Sequence, residues 1–196
     1  MINNKAVIFD LDGVIVDTAK YHFIAWQNMA RQLGIDFTKK DNEKLKGVSR
    51  IKSLDLILEM GGKTLPETEK KKFLEAKNQQ YLELIADMNE EELLPGIKDL
   101  LLTLKEANIP FALGSASKNA KKILDTLNIT DWFTAIVDGN DVHKAKPDPE
   151  VFLTAAKKLG YAPENCVVIE DAQAGIKAAK NAGMKAIGIG DKDTLQ

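Results

Sequence analysis

The sequence has one cysteine among 196 residues, no long apolar run and almost no net charge, and each scarcity removes a class of protein. A single thiol, Cys166, cannot close a disulfide within the chain, so a disulfide-stapled scaffold is excluded and a reducing compartment is expected. It sits in the apolar run Cys166-Val167-Val168-Ile169 and reads as a buried structural thiol. With 27 basic against 29 acidic residues the net charge is −2, which argues against a protein held to nucleic acid by a basic field and leaves room only for a local basic pocket. The first apolar run, Ala6–Phe9, stops at Asp10, far short of a signal-peptide core, and no stretch approaches a membrane span. A soluble, cytoplasmic protein with no nucleic-acid or membrane partner is therefore expected. There is no internal repeat and no low-complexity tract.

What is present is 44% apolar residues, enough for one good core and a smaller appended unit. Strand-like and helix-like segments alternate, which predicts an α/β fold, a mostly parallel sheet with helices on both faces. Strands are expected at 6–9, 111–113, 135–137, 167–169 and 186–189. Helices are expected over 97–104 after Pro95-Gly96, over 119–127, over 150–159 ending at Gly160, and over 175–181 stopped by Gly183. Residues 17–92 break this rhythm with several amphipathic helical stretches and no convincing strand. They are expected to form an all-helical insertion, leaving 1–16 and 93–196 as the α/β core. Within the insertion, 39–46 and 63–72 are polar and charged and read as solvated faces or connections.

In open α/β sheets, ligands bind beyond the carboxyl ends of the strands. Asp10-Leu11-Asp12 follows the first predicted strand, Ser115-Ala116-Ser117-Lys118 the second, Lys146-Pro147 lies after the third, and Glu170-Asp171 follows the fourth. Taken singly, Asp12 or Asp171 is as readily a helix N-cap, and Lys146 an exposed loop lysine. Four such groups at one sheet edge point instead to phosphate chemistry. Asp10, Asp12, Glu170 and Asp171 at one rim would repel one another without a cation, and Mg2+ suits such oxygen ligands beside phosphate and water. The cation would let the Asp10 carboxylate attack a phosphate, with Asp12 as general acid and base. Ser115 with its loop amides, and Lys146, would bind the transferring phosphate.

The strings VIFDLDGV at 7–14, GSAS at 114–117, KPDPE at 146–150 and VVIEDAQAGI at 167–176 resemble, in order, the motifs of the haloacid dehalogenase superfamily of phosphotransferases. The resemblance implies a Rossmann-like core with an inserted cap. It implies Asp10 as nucleophile, Asp12 as acid and base, Ser115 and Lys146 on phosphate, and Glu170 with Asp171 on magnesium, joined by Asp10 and by the Asp12 backbone carbonyl. Members of the superfamily usually continue past the equivalent of 191–196 through another strand and helix.

The insertion offers residues for a second phosphate. His22 and Trp26, four apart on a helix, share a face, and Arg50 follows Lys46-Gly47-Val48-Ser49, a loop turning into a helix that Ser49 is placed to cap. Read alone, Trp26 with Phe23 and Ala30 is more often core, His22 a structural histidine, and Lys77 one lysine of a charged face. The stretches at 12–26, 45–50, 77–78 and 115–120 resemble the sugar-phosphate mutases of the superfamily. That implies Arg50 on the non-transferring phosphate, Lys46, Gly47, Val48, Ser49, Ser117, Lys118 and Asn119 around the sugar beside Ala116, and Trp26 near by. It implies that His22 and Lys77 couple cap closure to the placing of Asp12, with Thr18 near the hinge. The function implied is interconversion of β-D-glucose 1-phosphate and glucose 6-phosphate through β-glucose 1,6-bisphosphate, by a monomer. A phosphatase for a small sugar phosphate or phosphoglycolate, and a non-catalytic phosphosugar sensor, are the alternatives.

Overall fold

Ala6–Phe9 forms the central strand, β1, of a five-stranded sheet in a computed structural model that describes residues 5–45 and 48–190. It pairs in parallel with β2 (Phe111–Gly114) on one side and β4 (Cys166–Glu170) on the other. Parallel pairing of β2 with β3 (Ala135–Val137) and of β4 with β5 (Lys185–Gly188) completes the order β3-β2-β1-β4-β5. The fold is thus an α/β fold with an all-parallel sheet. Every strand end carrying chemistry therefore opens at the same edge.

The helices explain why β1 is apolar throughout. Ala6 and Ile8 point into a core with Phe152, Ala155 and Ala156 of α7 (Glu150–Leu159) and Ala178 and Ala179 of α8 (Gln173–Asn181). Phe9 faces the other way, edge-on to Phe111 and Phe133 at ring separations of 5.9 and 6.4 Å. A strand buried on both faces has no polar position to alternate, which is why it reads as a run rather than as a pattern. The core unit also holds α5 (Ile97–Glu106) and α6 (Ala120–Thr126). Gly160 ends α7 at φ 77°, in the left-handed region where a side chain is strained.

The remaining helices are α1 (Ala19–Gln32), α2 (Lys39–Glu43), α3 (Arg50–Met60) and α4 (Glu67–Ile85). They form a separate compact unit, Thr18–Asp87, whose core joins Trp26, Met29, Phe37, Leu54 and Ile57. Asp17 and residues 88–92, expected in the insertion, group with the core unit. Directly after residue 92 the backbone pairs with the loop beyond β1: Val16 bridges Leu93, and Leu94 N donates to Ile15 O at 2.9 Å.

The two polar stretches of the insertion are mostly exposed, as solvated faces, and both carry helix. The polar stretch at 39–46 contains α2, because Thr38 and Asp41 form a capping box that starts a helix without any apolar face. The stretch at 63–72 includes the first turns of α4, with Glu67 and Glu69 at its N-terminus favouring the helix dipole. Among the described residues, no helix is long and apolar enough to cross a membrane.

Candidate active site

β1 ends at Phe9, and Asp10 begins the loop beyond it, its backbone N–H donating to Ile169 O of β4 at 3.0 Å. The loop then turns back on itself through amides of Ile15 and Val16 to Leu11 O, and Asp12 pairs with Val16. Asp12 therefore precedes a tight loop and not a helix, so the capping role open to it in the sequence is not what the structure uses. Glu170 is the last residue of β4, with Asp171 immediately after it. The α8 N-cap is Ala172, and its amide donates to Glu170 Oε2 at 2.8 Å. Asp171 caps nothing there either.

Lys146 is the centre of the charge arrangement. Its Nζ donates to Asp10 Oδ1 at 2.6 Å and to Glu170 Oε1 at 2.5 Å, with its side chain only 10% exposed. It is thus a buried cation between two carboxylates and not an exposed loop lysine. Its ammonium also lies 4.7 Å from the centroid of the Phe152 ring. The loop that delivers it is held by Glu150, whose Oε2 accepts the amides of His143 and Lys144, and by Asn181, whose Nδ2 donates to Pro147 O. Burial alone would lower the Lys146 pKa, but Asp10 and Glu170 outweigh it and hold the ammonium above its ordinary value.

The carboxylates show the reverse balance. Burial raises Asp10 to about 6 against the pull of Lys146, with the Glu170 charge adding to the rise. Asp171 is also raised to about 6, by burial first and then by the charges of Asp10 and Asp12. Oxygens of Asp10, Glu170 and Asp171 lie within 4.8 Å of one another. One lysine leaves this set of hard oxygen donors under-compensated, so the residues fit a divalent cation. Asp12, expected to contribute through its backbone carbonyl, is not among those three carboxylates but lies close enough for its charge to act on Asp171.

The loop after β2 supplies donors. Ser115 is buried, and its Oγ accepts the amide of Ser117 at 3.1 Å, while Ser117 Oγ accepts the amide of Asn119 at 3.3 Å. With its lone pair so engaged, the Ser115 hydroxyl keeps its proton to donate. Ala116 and Lys118 are exposed on the same loop, and Lys118 O accepts from Asn140 Nδ2 at 3.0 Å.

Three glycines escaped the sequence reading. A Cβ on Gly13 would stand 2.0 Å from Asp171 Oδ2, one on Gly175 1.7 Å from Glu170 Oε1, and one on Gly139 2.3 Å from Ala116 O. Each leaves space for a site group: Gly13 directly follows Asp12, Gly139 directly follows Asp138, and Gly175 lies four residues after Asp171. In the helical unit, His22 Nδ1 and Lys77 Nζ are 2.7 Å apart, and Lys77 is buried, so it does not belong to a charged surface. Trp26 packs in that unit's core, Thr18 is buried just before α1, and Ser49 caps α3 through its Oγ to the Lys52 amide. Val48 is partly buried and Arg50 is the first residue of α3. Lys46 and Gly47 lie outside the described residues.

The haloacid dehalogenase-like hydrolase family matches over residues 4–183. The chain belongs to that family. Among relatives, β-phosphoglucomutase of Bacillus subtilis (strain 168) is 53% identical over 188 residues, 95% of this chain and 83% of that protein. A phosphorylated carbohydrates phosphatase of Thermotoga maritima is 33% identical over 186 residues, 93% of this chain and 83% of that protein. The crystal structure of β-phosphoglucomutase from Clostridium difficile matches with a TM-score of 0.91 at 48% identity, covering 98% of this chain and 87% of that one. A mutase and a phosphatase thus both match nearly the whole chain, so family membership alone does not separate transfer to a sugar from transfer to water.

Proposed function

We propose that the chain is a phosphomutase that interconverts β-D-glucose 1-phosphate and glucose 6-phosphate, passing the phosphoryl group through an aspartyl-phosphate on Asp10. The observation that carries this reading is Lys146 held between Asp10 and Glu170 beside Asp171, in a chain 53% identical to a β-phosphoglucomutase along nearly its whole length. The Asp10 carboxylate attacks the phosphorus of β-glucose 1,6-bisphosphate, the P–O bond to the sugar breaks, and Asp12 gives its proton to the leaving oxygen. Glucose 6-phosphate then leaves, and in the return step Asp12 takes the proton of the free 6-hydroxyl of an incoming β-glucose 1-phosphate, whose oxygen attacks the aspartyl-phosphate, regenerating the bisphosphate and releasing Asp10. Ser115 and Lys146 donate to the phosphoryl oxygens throughout. Asp10, Glu170, Asp171 and the Asp12 carbonyl would hold Mg2+, which neutralises charge on the phosphoryl group.

Arg50 is assigned to the phosphate that is not transferred. Lys46, Gly47, Val48 and Ser49, with the loop from Ala116 through Ser117 and Lys118 to Asn119, are assigned to the sugar, with Trp26 near by; His22 and Lys77 are assigned to coupling cap closure to the placing of Asp12, and Thr18 to the hinge. A monomer in the cytoplasm completes the reading, in keeping with the lone buried thiol of Cys166. The phosphatase alternative keeps support from the 33% identity to a carbohydrate phosphatase. Replacing Arg50 decides between them. Arg50→Ala should lower kcat/KM for the mutase reaction by about 10- to 100-fold while leaving phosphate release from acetyl phosphate near wild type. An equal loss in both assays would remove Arg50 from the distal phosphate and with it the support of the helical unit for a mutase.

A further inference from the structure

In the helical unit, two i, i+4 pairs face each other across α1 and α4: His22 with Trp26, and Lys77 with Tyr81. Lys77 Nζ lies 2.7 Å from His22 Nδ1, 4.5 Å from the Trp26 ring centroid and 5.0 Å from that of Tyr81. The His22 ring stacks on Tyr81 at 4.1 Å with 18° between the planes. Trp26 and Tyr81 are buried at 4% and 0% exposure, so neither ring is free to turn away. We propose that Trp26 and Tyr81 are positioning residues, an aromatic box that holds the Lys77 ammonium against His22 Nδ1 and so keeps His22 a neutral hydrogen-bond donor through Nε2.

The chemistry leaves little freedom. An ammonium has three donors and no acceptor, so a bond between it and Nδ1 uses the nitrogen lone pair. The imidazole proton must then sit on Nε2. Two aromatic faces within cation–π range favour the charged lysine over a neutral amine that could accept instead. The titratable groups facing His22 are Lys77 and Tyr81 on α4 and Arg50 on α3. Burial, then the charges of Lys77 and Arg50, hold the imidazole well below its ordinary range. His22 is thereby a fixed donor for a ligand oxygen and takes no part in proton transfer. Only the kinetic arm of the test rests on the proposed mutase reading.

Nitrogen-detected NMR of the 15N-labelled whole chain without substrate reads the tautomer directly. The sequence holds two histidines, so a His143→Gln variant assigns the two rings. Wild type and Tyr81→Phe should both show the proton on Nε2 alone, unchanged between about pH 6 and 8. Tyr81→Leu, which removes the ring face, should mix the tautomers of His22, and should raise KM for the sugar phosphate about five- to tenfold with a smaller change in kcat. Lys77→Met removes the donor to Nδ1 and should mix the tautomers as well, and serves if Tyr81→Leu does not fold. A proton on Nδ1, or a His22 spectrum unchanged in both Tyr81→Leu and Lys77→Met, would overturn the proposal. The spectra need no substrate, so a chain that proves to be a phosphatase leaves them decisive.

Discussion

At the residue scale, the site depends on which carboxylates carry charge and on what holds them still. Asp171 shows the first dependence. Its carboxyl is raised from 3.8 to about 6 in the folded, metal-free chain, so between those values the folded state binds more protons than the unfolded one. That makes stability fall as pH rises through this window, the reverse of the usual carboxylate pair. Asp171→Asn should flatten the fall in urea midpoint between pH 4 and 6, and a divalent cation should remove it in the wild type; an unchanged slope in Asp171→Asn would place the proton elsewhere. Gly175 shows the second. A methyl there would meet Glu170 Oε1 at 1.7 Å, and the glutamate would have to leave Lys146 and the Ala172 amide together. Gly175→Ala should therefore weaken magnesium binding by about 10- to 100-fold, measured by calorimetric titration.

At the scale of elements, α7 carries both the core and the site. Phe152 is fully buried against Ile8 and Ala112, and its ring also supports the Lys146 ammonium at 4.7 Å. Phe152→Ala should cost about 3–5 kcal/mol in urea unfolding. Phe152→Leu, which keeps most of the volume, should cost less but still reduce activity through Lys146. The strands and core helices were legible in the sequence because doubly buried strands read as apolar runs and the helices between them bury one stripe. Boundaries moved by one or two residues, as at Cys166–Glu170, where pairing with β1 and β5 continues past the apolar run. The polar helix α2 and the start of α4 were not legible, since caps and dipoles rather than apolar spacing create them.

For the whole molecule, the same division holds between what local pattern reveals and what only the fold brings together. The sequence placed Asp10, Ser115 and Glu170 after strands and Lys146 in the connection after the third, and the fold brings Lys146 to Asp10 and Glu170. It did not reveal that Lys146 bridges Asp10 and Glu170 across 136 and 24 residues, nor that Lys77 is buried against His22, because neither contact leaves a local pattern. The glycines under the site were silent for the same reason. The central claim, that the phosphoryl group on Asp10 returns to a sugar, belongs to this scale, since the core chemistry is common to mutases and phosphatases alike. Asp10→Asn should abolish either activity and so does not separate them.

The most direct measurement is a phosphorus NMR time course with each anomer of glucose 1-phosphate, magnesium and a bisphosphate primer. The account predicts that the β anomer is converted to glucose 6-phosphate with no accumulation of inorganic phosphate, and that the α anomer is left unchanged. Inorganic phosphate appearing in step with loss of the β anomer would contradict it.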